Sequence, residues 1–176
     1  MFTLDSFIGT WRKESQICIN LFHKMPPGGL DYRPTPGQRN TIELLRFLSF
    51  GPYNGLVKVI AGDWTKGRPT AEVTAGMPAS DFPERMAWQA EAAVRELGSV
   101  SLPILLKEEM TFPWGETCKR GEGLAYPMRW LIGYRMQLFL YLKSAGATRL
   151  NTTDCWRLPA GTEGSPVTAA STAPVA

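Results

Sequence analysis

From Leu4 to Phe22, apolar side chains return at steps of three and four residues, and the chain then runs into Pro26-Pro27-Gly28-Gly29. A helical period of 3.6 puts Leu4, Phe7, Ile8, Trp11, Ser15, Cys18, Ile19 and Phe22 on one face. The Pro/Gly run must stop that helix, because proline lacks the N–H donor and glycine is costly inside a helix. The segment is therefore predicted to be an amphipathic helix from about Leu4 to Lys24, capped by Thr3. Such a face needs other elements to cover it.

Three later segments can do so. Asn40-Thr41-Ile42-Glu43 has capping-box spacing and opens a second helix through IELLRFLSF, apolar on nearly all sides. That helix is expected to bend or restart near Pro52 and to continue to about Ile60. Residues 63–79 are rich in Gly, Pro and Thr and read as a surface connection. Asp81-Phe82-Pro83-Glu84 is predicted to cap a third helix, with Met86, Ala90, Ala93, Val94 and Leu97 as its buried stripe and Gly98 closing it. Met110, Phe112 and Trp114 alternate with polar or turn residues, as in a short strand. A fourth helix, from about Glu122 to Ser144, carries Leu124, Met128, Leu131, Leu138 and Leu142 on its core side, with Gly146 as its cap.

The expected fold class is all-α, a four-helix bundle with long connections and a short strand or hairpin before the last helix. Residues 1–157 are predicted to form the bundle. Residues 158–176, built mostly from Ala, Thr, Ser, Gly and Pro, are predicted to be a disordered tail.

The totals exclude some functions. Nineteen Lys+Arg against sixteen Asp+Glu give +3, and no basic cluster interleaves with aromatics, so no nucleic-acid partner is expected. No apolar run reaches the roughly 20 residues of a membrane span, and charges scattered through the first sixteen residues do not make a signal peptide. Cys18, Cys118 and Cys155 are odd in number and far apart, as in reduced thiols of a cytoplasmic protein.

Two motifs carry a resemblance. LDYRPTPGQRNTIELLRFLSF and YRMQLFLYLKSAGA, with LNTTDCWR closing the segment, resemble the DinB-like proteins, a family of damage-inducible and thiol-transferase-like bacterial bundles. The resemblance implies a DinB-like four-helix fold. It also implies a divalent-metal site in which three histidines occupy the positions of Phe47, Trp130 and Tyr134 here. All three are aromatic in this chain, so the metal site reads as degenerate, with no metal and no cofactor expected. Two readings follow: the rings simply pack the core, or they line a pocket for a flat organic ligand.

The remaining chemistry is sparse. His23 is the sole histidine, near the end of the first helix, and is a candidate lone acid or base beside the former metal site. Cys118 has Lys119 and Arg120 next to it, which would favour a thiolate. Glu43, Asp63, Glu108, Glu109 and Glu116 show no grouping that suits a di-metal bundle. The leading functional expectation is a metal-free binding or interaction protein, with Phe47, Trp130, Tyr134 and His23 as its pocket. The alternative is a transferase using a low-molecular-weight thiol without the ion, its thiolate activated by Arg129, Arg135 or His23. A homodimer is expected from the family resemblance.

Overall fold

The computed structural model describes residues 3–158. Helix α1 spans Leu4–Phe22, and the Thr3 hydroxyl accepts from the Ser6 N–H at 3.1 Å. Its buried face includes Phe7, Trp11, Ser15 and Cys18. It stops two residues before Lys24, and Gly28 takes a left-handed φ of 73° in the turn that follows.

Asn40 and Glu43 form both halves of the capping box: Asn40 Oδ1 accepts from Glu43 N at 3.0 Å, and Glu43 Oε2 from Asn40 N at 2.8 Å. The helix they open, α2 (Thr41–Leu48), breaks at Ser49-Phe50, and α3 (Gly51–Ala61) restarts with Pro52 in its first turn. A proline is tolerated there because that N–H would have no helical partner anyway.

The 63–79 connection is less irregular than its composition predicts. It holds a short helix, α4 (Thr70–Val73), and buries Thr74 and Met77. Asp81 does not cap the third helix: its backbone is already helical, at the end of a 3-10 turn, and its side chain makes no capping bond. Helix α5 (Phe82–Ser99) also runs through Gly98, ending where Val100 becomes extended.

Residues 102–107 form a helix absent from the sequence expectation, α6 (Leu102–Lys107), with Pro103 in its first turn. The expected hairpin follows. Strand β1 (Glu109–Thr111) pairs antiparallel with β2 (Thr117–Lys119), Met110 opposite Cys118. Phe112 closes the hairpin by donating to Glu116 O at 2.8 Å, which leaves Trp114 in the turn instead of the strand.

The fourth helix is two. Helix α7 (Arg120–Gly123) gives way at Leu124 to α8 (Ala125–Ser144). Pro127 has no N–H to offer the Gly123 carbonyl one turn back, which is where the ladder is interrupted. At the far end Gly146 takes φ 103°, and Ala147 N closes onto Leu142 O at 2.9 Å. A last turn, α9 (Thr152–Trp156), is capped by Asn151 and buries Cys155. Leu158 is partly buried against the core, and the rest of the predicted tail, 159–176, lies outside the described residues.

Helix α1 packs on α5 and α8, α3 packs on both of those, and α2 lies on α8. Trp11, Leu45, Leu48, Leu56, Met86 and Leu131 are completely buried between them. Among the described residues, no helix is long and apolar enough to cross a membrane.

Candidate functional site

Phe47 stands in the last turn of α2, and Trp130 and Tyr134 lie one turn apart on α8. Because α2 packs on α8, the Phe47 and Tyr134 rings meet, while Trp130 contacts Trp64. The Phe47 and Tyr134 centroids are 4.5 Å apart at an interplanar angle of 55°. With Trp130 they wall a cleft of about 430 Å³. All three are half-buried, so they border the space without closing it.

Two glycines on α3 make room for them. A Cβ on Gly51 would lie 2.8 Å from the Phe47 ring, and one on Gly55 2.7 Å from Trp130 Cζ3. The four-residue spacing of Gly51 and Gly55 puts both on one face. Trp64, from the connection after α3, stands edge-on to Trp130 at 6.1 Å with Lys58 Nζ 5.5 Å from its centre. Asn54 also lines the cleft; it is only 8% exposed, and its Oδ1 has no hydrogen-bond partner among the described residues.

A second chamber of about 570 Å³ adjoins the first, with Phe47 and Thr70 bordering both. Its charged lining is Arg33, Arg39, Arg46 and Glu43. The Arg39 guanidinium sits 4.7 Å from the Phe47 ring centre and 5.7 Å from that of Tyr134. Its backbone is held by the Tyr141 hydroxyl of α8, which donates to Arg39 O at 3.0 Å. Glu43 is already engaged: the Asn40 N–H, then Arg33 and Arg39, hold its carboxyl below the usual range.

No family model and no curated protein matches the sequence. A solved structure does match: a DinB-like protein, YjoA, from Bacillus subtilis, is similar at a TM-score of 0.61 and 15% identity. The match covers 82% of this chain and 94% of that one. The chain has a DinB-like fold.

The residues that the DinB-like resemblance places at a metal site do not fit a divalent ion. Phenyl and indole rings offer no coordinating nitrogen or oxygen, and the Tyr134 phenol is a single donor where such an ion needs at least three from protein. Among the described residues, no group of three His, Cys, Asp or Glu could hold an ion. The five carboxylates singled out in the sequence are dispersed onto separate partners: Glu43 on Arg33, Asp63 on Thr65, Glu108 on Arg120, Glu109 on Lys119, and Glu116 on Trp114 and Tyr126.

Within the DinB-like bundle the candidate acid–base and thiolate-activating groups lie elsewhere. His23 is exposed at the C-terminus of α1, its ring 5.8 Å from that of Phe22, and does not line the cleft. Arg129 is exposed and covers Tyr126. Arg135 is fully buried: its Nε lies 2.5 Å from Glu14 Oε2, and its Nη1 donates to Cys155 Sγ at 3.2 Å. Burial raises the Glu14 carboxyl and both buried thiols, Cys18 and Cys155, against the opposing pull of Arg135. Cys118 is also raised, by burial and by Glu122 and Glu116. Its neighbouring cations are occupied, Lys119 by Glu109 at 2.7 Å and Arg120 by Glu108 at 2.6 Å, so they do not produce the thiolate their proximity in sequence suggests.

Proposed function

We propose that this chain is a metal-free binding protein whose aromatic cleft takes a flat organic ligand at the position where histidine-bearing proteins of this fold hold an ion. One observation carries the reading: Phe47, Trp130 and Tyr134 remain half-buried around about 430 Å³ of space, with Gly51 and Gly55 shaped to seat two of them. Rings whose role is only to pack a core close on one another and exclude water. A concave, mostly apolar lining with a few polar groups such as Asn54 is what small-molecule sites present.

Two measurements test it. Elemental analysis of protein purified without an affinity tag is expected to find no stoichiometric zinc, nickel or manganese. Calorimetric titration with flat aromatic compounds is expected to show saturable binding that Trp130→Ala weakens. A stoichiometric ion, or binding indifferent to Trp130, overturns the reading.

A further inference from the structure

We infer that the ligand carries an oxyanion on its ring, a carboxylate or phosphate held by Arg39 and Arg46 while the ring enters the cleft of Phe47, Trp130 and Tyr134; this rests on the reading of that cleft as a ligand site. The charges of the adjoining chamber do not balance among themselves. Arg33 and Glu43 pair at 2.9 Å and offset each other. Arg46 donates from Nε to Met77 O at 3.0 Å and forms no ion pair among the described residues. Arg39 makes no direct ion pair among the described residues and acts on Glu43 only at longer range; it lies over the faces of Phe47 and Tyr134, the same rings that border the aromatic cleft.

Two guanidiniums outside any direct ion pair leave a positive chamber that shares Phe47 and Thr70 with the aromatic cleft. The guanidinium fork suits a planar carboxylate or a phosphate, and charge-assisted bonds of this kind are the stronger class. Arg39 also couples the two halves. A guanidinium stacked on an aromatic face keeps its N–H edge available for in-plane donors, so it can hold the acid while its face rests on the ring.

Calorimetric titration of the full chain with naphthoate, naphthyl phosphate and the neutral naphthamide tests this. At least one anion is expected to bind about tenfold or more tightly than the amide, and raised salt should weaken the anion alone. Arg39→Gln and Arg46→Gln should each lose about that factor for the anion and change amide binding by much less, and Arg39→Lys should recover part of the loss. Preference for the carboxylate over the phosphate, or the reverse, identifies the acid. If the amide binds as tightly as both anions, or if the Gln variants bind both classes as the parent does, the oxyanion inference falls and the aromatic site stands. If none of the three binds, the aromatic site falls with it.

Discussion

The rings of Phe47 and Tyr134 meet at 4.5 Å across the junction of α2 and α8, and the Arg39 guanidinium covers both. A helix end, a helix interior and a loop thus converge on one contact. Phe47→Ala removes the ring that the other two share. Beyond the lost area, an aromatic pair of this geometry contributes about 0.5–1.5 kcal/mol. A double-mutant cycle of Phe47→Ala with Tyr134→Ala in urea should show a coupling of that size. Additive losses would mean that the rings act independently.

Gly55 and Gly133 should respond oppositely to alanine. At Gly55 the new methyl meets Trp130 at 2.7 Å, and the indole must move. Overpacking of this sort costs about 1–3 kcal/mol. Gly133 is exposed in mid-helix on α8, with nothing within 4 Å of its would-be Cβ, so Gly133→Ala should gain about 0.5–1 kcal/mol. Urea midpoints of the two variants measure both signs.

Arg135 is buried against Glu14, and removing one member of a buried pair leaves the other charge uncompensated. Arg135→Leu should cost about 3 kcal/mol or more, and Glu14→Gln introduced beside it should restore part of the loss. Chemical denaturation of the single and double variants decides the matter.

Glu14 also sets a pH dependence. Its folded carboxyl is raised, chiefly by burial, against the pull of Arg135 and, less strongly, of Lys13. Between the unfolded value and the higher folded one, the native state holds more protons than the unfolded state. Glu14's contribution is therefore greatest below the unfolded pKa and is lost as pH rises through the folded one. The stability difference between parent and Glu14→Gln should fall with rising pH across that window. A difference independent of pH would contradict the burial of the carboxyl.

The thiols should separate by burial. Cys18 and Cys155 are buried, with raised pKa values, whereas Cys118 is partly exposed on β2. A thiol-reactive dye should label Cys118 slowly in the native protein and all three cysteines after unfolding. Rapid native labelling of Cys155 would mean that α9 opens.

Much of the bundle was legible because its helices announce their own ends. The Asn40–Glu43 box and the Pro26–Gly29 stop are local chemistry, and both are present as expected. The sequence expectation omits the burial of Arg135, although that residue fills the α8 stripe between Leu131 and Leu138 at steps of four and three, a signal that could have marked it as inward. Helix α6 escaped because LPILLK has no amphipathic face to detect: Leu102 is 58% and Leu106 62% exposed.

The site divides in the same way. Phe47, Trp130 and Tyr134 follow from the family resemblance, and helical spacing explains why the last two share a face. Gly51 and Gly55 repeat at a helical interval that could have flagged a seat for large neighbours. Arg39 and Trp64 carried no such signal. Both sit in Pro/Gly-rich connections, and each reaches its ring through tertiary approach alone. His23 lacked the converse information, since position near a helix end does not say which end of the bundle the site occupies.

The seats at Gly51 and Gly55 have a consequence for how the recess can change. Phe47 and Trp130 rest on main chain, and main chain has no alternative rotamers. The contour of that wall therefore changes only when α3 itself shifts, and not through side-chain rotamers. Selectivity can be retuned from Arg39 and Trp64, which belong to loops that vary without disturbing a helix.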